Sequence, residues 1–452
     1  MNPQGDTLGP VIVIGGGAAG MIAAGAAAQA GARVVLLEKT SRLGRKLAIS
    51  GKTRCNVTNT EPLEGFLTAY GSGARFLRGP FSRFFRDELL ELLRRYGVET
   101  QDERGGRVFP ASGSAEDVVA ALERYLAEGG VEVRTDVRVD GIASVGTRVT
   151  GVHTDRGTMP AAAVILATGG SSYTSTGSTG DGYVMASELG HTIVPLRPAL
   201  IPLVVEEVAL AKSMQGVSLK NARLTAFRGR ADTIDLAATP AADCGRGLPG
   251  KQPRPPVIES RMGEMMLTHF GIGGPVTLLM SLAIVKALEE GPVSVSIDLK
   301  PAVSAPELRL RLQRELEQGS KRTLRRILAE LLPSKMIEPY LDLSGLPGDR
   351  LGHQIPGEER DRLLAHLKSL RFNIRGSLPM NAAIVTAGGV SLKEVDPRTM
   401  ASRLVEGLYL CGEVLDIDAD TGGYNLQAAF STGTIAGENA AEVTLTGEPG
   451  SD

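Results

Sequence analysis

Four residues in the first forty have the types and spacing to hold a dinucleotide. Gly15, Gly17 and Gly20 satisfy G-x-G-x-x-G, and Glu38 closes the unit that follows them. The first glycine permits a tight turn, the second lets the backbone approach a pyrophosphate, and the third lets helix and strand touch. The N–H groups that open the following helix are available to the phosphates. A carboxylate at position 38 can accept from both hydroxyls of an adenosine ribose. Two further side chains have proton-transfer chemistry. Cys55 lies beside Arg54, a cation placed to stabilise a thiolate, and His269 follows Thr268 just before Gly271. The competing reading of Cys55 is plainer, a small buried packing residue, and His269 is a candidate for proton transfer or for binding a substrate carbonyl. Cys411 ends an apolar run and reads as core, while His191, just after Gly190, is expected to cap helix carbonyls.

The elements that must position these groups are legible around them. Val11–Ile14 is an apolar β-branched run, the composition of a strand buried on both faces. Ala18–Ala30 is a helix of small residues, and Arg33–Leu37 is a second strand that ends on Glu38. A nicotinamide enzyme would ordinarily continue with further β–α units. Here Gly44–Asn59 follows instead, polar, basic and without clean periodicity, which suits a loop wrapped around an extended charged ligand. No second G-x-G-x-x-G follows another strand, so a dedicated NADPH domain is not expected and FAD is the favoured dinucleotide.

Ser114–Asp117 has the look of a capping box for a helix to about Ala127. Val131–Arg134, Arg138–Ile142 and Val149–Thr154 are expected to form a small meander. Ala163–Ala167 is another buried strand, running into Thr168-Gly169-Gly170, and Gly177–Gly182 leads into a helix at Tyr183–Leu189. At the far end, Gly407–Leu410 is a strand before Cys411-Gly412-Glu413. Thr421–Gln427 then opens a small-residue helix to about Ala441, whose N-terminus could stabilise negative charge on a flavin. Tyr173 and Tyr424 either face that flavin or pack. Between these halves, 194–300 is β-rich, with strands at Pro195–Val205, Gly216–Arg228, Val257–Leu267 and Pro292–Asp298 and an exposed hairpin loop at Ala231–Pro256. Helices follow at Pro306–Gln318, Ser320–Leu332 and Glu358–Leu370, with 3.6-type apolar spacing.

A chain of 452 residues is too long for one core, so two or three domains are expected. Hydrophobic residues at 42% and charged residues at 22% describe an ordinary soluble globular protein. No apolar run is long enough to span a membrane, and the start MNPQGDTLG lacks the features of a signal peptide. Cys55, Cys244 and Cys411 form neither a disulfide framework nor a zinc site, so no metal is expected and a reducing cytoplasm fits. Net charge is only −2, but Lys39 to Arg86 holds ten basic residues against Glu61 and Glu64, a local balance of +8. Arg309 to Arg326 holds seven against Glu315 and Glu317. Such runs are usually solvated surface; the functional alternative is a polyanion site.

The stretches Gly44–Asn59, Ala167–Gly182, Gly263–His269, and Gly412-Glu413 with Thr421–Gln427 resemble the YhiN/BaiN-like flavoproteins, also labelled aminoacetone-oxidase-family FAD-binding enzymes. The resemblance covers nearly the whole chain. It implies an α/β fold: a two-part Rossmann-like FAD-binding domain (1–193 and 381–452), an inserted β-barrel (194–300, with a return strand at 370–380) and a helical domain (301–369). FAD contacts are then expected from Gly15, Gly17, Ala19, Gly20, Glu38, Lys39, Arg45, Lys46, Ser50, Gly51, Asn56, Thr58 and Val137. Further contacts are expected from Ala167, Thr168, Gly169, Gly412, Glu413, Gly423, Tyr424, Asn425 and Leu426. NAD(P)H is expected as a transient reductant, with Cys55 as proton donor for reduction of a conjugated C=C bond. Uracil within ribosomal RNA is the leading substrate, with small steroid-type enones or an amine as alternatives. An RNA-associated factor with structural FAD is the alternative of another class. The family often has glycines where this chain has Lys52 and Thr53, and a serine in place of Gly273.

Overall fold

Val11–Ile14 (β1) carries only branched apolar side chains, and it lies fully buried at the centre of a parallel sheet. The computed structural model describes residues 9–234 and 257–446. They divide into two compact units, Met1–Arg197 with Met380–Asp452, and Pro198–Pro379. In the first unit, β1 pairs on one side with β2 (Val34–Leu37) and on the other with Ala163–Leu166. Leu408–Leu410 extends one edge and Glu132–Arg134 the other, all in parallel register. The five strands therefore build a Rossmann-like sheet to which both ends of the chain contribute, the N-terminal strand at its centre and the C-terminal strand Leu408–Leu410 at one edge. The expected meander is corrected here. Glu132–Arg134 joins the parallel sheet, and the antiparallel meander is Val139–Val145, Arg148–Thr154 and Gly157–Pro160.

The small residues of α1 (Ala18–Gln29) serve a helix–helix contact as well as the sheet. A side chain at Gly437 of the C-terminal helix Tyr424–Thr446 would place its Cβ 2.2 Å from the Ala23 carbonyl oxygen. At Gly433 it would lie 2.5 Å from the carbonyl oxygen of Ala19. The two helices meet backbone to backbone, which only glycine and alanine permit.

The segment expected as a loop after Gly44 is in part helical. Arg45–Thr53 (α2) starts as a regular helix and breaks at Ser50, Gly51 and Lys52, before the short strand Thr58–Asn59 (β3). Gly51, Lys52, Thr53 and Cys55 all have positive φ, between 57° and 67°. That conformation favours glycine, and it gives a physical reason for the family's glycines at 52 and 53. Ser114 precedes the helix Ala115–Glu128, but its side chain makes no cap hydrogen bond, so the capping box is absent. The helix expected at Tyr183–Leu189 is Asp181–Glu188. The expected strand Pro195–Val205 is two strands, Ile193–Ala199 and Leu203–Val205, separated by Leu200 in left-handed conformation.

In the second unit, six strands close into a barrel in the order Leu203–Val205, Gly271–Gly273, Val257–Leu267, Ser218–Arg228, Val293–Asp298 and Leu370–Ser377. Most of the expected hairpin loop Ala231–Pro256 lies outside the described residues. Helix Pro275–Leu288, unforeseen in a region read as β-rich, starts with proline at its first position, where no N–H is needed. Helix Ala305–Gln318 has a true capping box between Ser304 and Glu307 and buries Leu308, Leu312 and Leu316 in the barrel's own apolar cluster. Helix Gly357–Lys368 has no side-chain cap but buries Leu363 and Leu367 in the same cluster, and its Lys368 pairs with Asp298 at 2.6 Å. Barrel and helices thus share one core. The helix expected over Ser320–Leu332 shrinks to Leu324–Leu328, and Ser334–Ser344 is a helix despite Pro339 in its interior. No helix among the described residues is long and apolar enough to cross a membrane.

Candidate functional site

The three glycines of the opening turn are glycine for three different reasons. Gly15 has φ of +103°, and a Cβ there would sit 2.6 Å from the Ala167 carbonyl oxygen. Gly20 has no room, since its Cβ would lie 1.8 Å from the carbonyl oxygen of Gly15. Gly17 has an ordinary φ of −84° and no protein atom within 4 Å of where a Cβ would be. The fold does not require glycine at 17, whereas a ligand lying against the backbone does. Directly behind it, the N–H groups of Ala18, Ala19 and Gly20 have no backbone acceptor among the described residues, leaving the start of α1 suited to an anion.

Glu38 is held ready at the end of β2. The Gly16 N–H donates to its Oε2 and the Thr40 N–H to its Oε1, both at 2.8 Å. Each oxygen keeps acceptor capacity for a ribose hydroxyl. Replacing Glu38 by alanine is expected to weaken FAD binding by roughly 1.5–3 kcal/mol, the range for hydrogen bonds to a charged group. Titration of apo-protein with FAD measures this, and unchanged affinity would remove Glu38 from the site. Lys39 turns away to Asp181, 2.5 Å from Nζ, and Val137 is buried, its N–H donating to the Glu38 carbonyl at 3.0 Å.

The far end of the chain closes on the same place. Lys46 Nζ meets Glu413 Oε2 at 2.6 Å and donates to Ser172 Oγ at 2.8 Å. Glu413 Oε1 accepts from the Thr386 N–H at 2.9 Å and from Ser172 at 3.2 Å. One carboxylate therefore ties together α2, the turn after Ala163–Leu166, the strand Val385–Val390 and the turn after Leu408–Leu410. Gly412 (φ +75°) fits because a Cβ there would come within 2.7 Å of that of Ala19. A Cβ at Gly423 would meet the Thr58 carbonyl oxygen at 2.3 Å, so β3 lies directly against the start of the C-terminal helix. Asn425 Nδ2 and Oδ1 bond the Ala419 backbone, each at 3.0 Å, and Leu426 packs on the core. Ser50 Oγ donates to the Leu47 carbonyl at 2.7 Å. Arg45 is half-buried and has no ion pair among the described residues.

Six buried side-chain polar atoms lack a hydrogen-bond partner among the described residues. Four of these are Asn56 Oδ1, Thr58 Oγ1, Thr168 Oγ1 and Gln427 Oε1. All four fall in the segments 44–59, 167–182 and 421–427. Leaving such atoms unpaired costs about 1–3 kcal/mol each, so their concentration here fits a polar ligand. With the open face of Gly17, two helix starts and the Glu38 carboxylate, these residues suit an FAD molecule. When bound, FAD supplies hydride chemistry; the protein contributes orientation and electrostatics.

Two expectations fail on geometry. Cys55 is completely enclosed by protein and burial pushes its thiol up to about 12. Its neighbour in sequence, Arg54, points elsewhere, 2.7 Å from Glu103 and stacked over Phe109. Cys55 is therefore a buried thiol with no cation beside it among the described residues, not a stabilised thiolate. His191 does not cap carbonyls with its ring, which lies buried between Glu394 (3.1 Å) and Ser402 (2.8 Å). Cys411 is buried core, as its position suggested. His269 belongs to the barrel unit, exposed in the turn before Gly271–Gly273, its ring edge-on to Phe270. Ser172, Asn59, Tyr70, Thr386 and Gln427 were missed as site residues. Thr386-Ala387-Gly388-Gly389 repeats the strand-to-glycine signal of Ala167–Gly170 and was available in the sequence.

Residues 9–439 match the family model described as HI0933-like protein Rossmann domain. The chain belongs to this family. Like its HI0933-like relatives it is an FAD-dependent oxidoreductase. It is 34% identical, over 95% of this chain and 98% of the relative, to a 3-dehydro-bile acid delta(4,6)-reductase of Clostridium scindens. It is 29% identical, over 93% of this chain and 95% of the relative, to a ribosomal RNA dihydrouridine synthase of Escherichia coli. The fold is also similar to a quinol-fumarate reductase with menaquinol molecules (TM-score 0.50, 18% identity), covering 98% of this chain and 73% of that one.

Proposed function

We propose that this HI0933-like enzyme reduces a conjugated C=C bond in a small, largely apolar molecule, with NAD(P)H as the transient electron source. The observation that carries the choice of substrate class is the pairing of its basic residues. Of the ten in Lys39–Arg86, seven are in ion pairs: Lys39, Arg42, Lys46, Arg54, Arg78, Arg83 and Arg86. In the second cluster Arg309, Arg311, Arg322 and Arg325 are paired as well. The +8 balance along the sequence is largely cancelled in space by carboxylates from elsewhere, such as Glu116, Asp181, Glu413 and Glu438. Little of it is left to hold RNA phosphates, and ribosomal RNA gives way to a small enone as the leading substrate. The bile-acid reductase, the relative with 34% identity, points the same way.

Hydride delivered to the β carbon of an enone leaves a proton to be supplied at the α carbon. Of the two donors read from the sequence, Cys55 is enclosed by protein, whereas the His269 ring is exposed at a turn of the barrel unit. Uracil in RNA stands as the second reading because the relatives at 28–29% identity are named ribosomal RNA dihydrouridine synthases. Offering reduced enzyme a steroid-type enone and, separately, unmodified ribosomal RNA fragments decides between them. The expected result is saturated product from the enone, little affected by salt, and no dihydrouridine by mass spectrometry. Dihydrouridine formation that falls steeply with rising salt, as phosphate contacts require, would assign the enzyme to RNA.

A further inference from the structure

The start of the C-terminal helix is gripped from residues more than 350 positions earlier. Tyr70 is buried among Phe66 and Phe81, with ring centroids 5.9 and 5.6 Å away, and its Oη donates to the Tyr424 carbonyl at 2.7 Å. Asn59 Nδ2 donates to the Gly422 carbonyl at 2.9 Å. The Tyr424 ring itself packs on Phe66 at 4.6 Å. Each of these carbonyls shares a peptide plane with the next residue's N–H. The N–H groups of Gly423 and Asn425 have no protein acceptor among the described residues. Beside them, the fully buried Gln427 and Thr58 carry the unpartnered Oε1 and Oγ1. A hydrogen bond received by a carbonyl polarises its peptide and makes the N–H a better donor. Burial holds the Tyr70 phenol well above its ordinary pKa, so the donor stays protonated throughout the working range.

We infer that Tyr70 is a positioning residue for the flavin. By donating to the Tyr424 carbonyl it fixes and polarises the peptide that presents the Asn425 N–H, stabilises negative charge on reduced FAD, and so raises the reduction potential. The inference rests on FAD being held at this helix start. Tyr70→Phe removes the hydroxyl and keeps the ring. It is expected to retain FAD while the preference for reduced over oxidised flavin falls about three- to tenfold, ~15–30 mV lower for a two-electron couple. Phe81→Leu loosens the same aromatic cluster without touching the hydroxyl, and is expected to lower thermal stability and leave the potential unchanged. Should Tyr70→Phe not fold, 3-fluorotyrosine placed at position 70 serves instead: a stronger donor, it must raise the potential. Flavin retained at an unchanged potential in Tyr70→Phe, or an equal shift in Phe81→Leu, overturns the inference alone. Wild-type protein that cannot hold FAD overturns the cofactor reading and this inference with it.

Discussion

Gly437→Val is expected to destabilise the sheet-bearing unit by about 3 kcal/mol, the upper end for forcing volume into a packed interior. The added atoms have nowhere to go. The first of them already falls 2.2 Å from the Ala23 carbonyl oxygen, and backbone cannot rotate aside as a side chain can. The same helix contact recurs at Gly433 against Ala19, so separating the helices at one point opens both. For a unit of this size the loss corresponds to a melting temperature lower by roughly 6–12 °C. Thermal unfolding followed by circular dichroism measures it. A Gly437→Val protein that melts with the wild type would show that the two helices do not lie as close as described.

Gly17→Ala is expected to do the reverse: leave the fold intact and damage cofactor binding. Its φ is ordinary and the space in front of it is open, so the apo-protein should melt as the wild type does. A methyl group there intrudes where the pyrophosphate approaches, at a cost of roughly 1–3 kcal/mol, or about five- to 150-fold in affinity. Fluorescence titration with FAD, beside thermal melts of the same apo-protein, separates the two effects. Unchanged FAD affinity would mean that the open face of Gly17 is not where the phosphates lie. Gly20→Ala makes the contrast, because there the clash is with the protein itself, and fold and cofactor should be lost together.

These glycines also show what was legible in the sequence. β1, α1 and β2, with Glu38 at its end, are placed correctly because each is specified by a short run of neighbours: a branched apolar stretch, a glycine turn, a small-residue helix. Helix Pro275–Leu288 escapes that logic, since it is apolar on nearly all sides and offers no 3.6-residue stripe to distinguish it from buried strand. The break in α2 is hidden for another reason. Lys52 and Thr53 occupy left-handed backbone that their types do not announce. Contacts that assemble the site are mostly beyond local reading. Lys46 and Glu413 are 367 residues apart, and nothing near either predicts that Ser172 and the Thr386 N–H share the same carboxylate. Cys55 illustrates the opposite error. Adjacency to Arg54 in sequence implied a charged partner, but successive side chains diverge, and the guanidinium went to Glu103 while the thiol went inside. Likewise, counting charges along the chain cannot see carboxylates that arrive from elsewhere.

The claim that this flavoprotein passes electrons from NAD(P)H to a conjugated C=C bond is tested most directly by two anaerobic additions. Adding NADPH or NADH to the yellow protein should bleach the flavin. Adding an enone to the bleached protein should then restore the oxidised spectrum and yield one saturated product per flavin. Flavin that is not reduced by either nucleotide, or that stays reduced in the presence of enone and recovers only when air is admitted, would contradict the assignment.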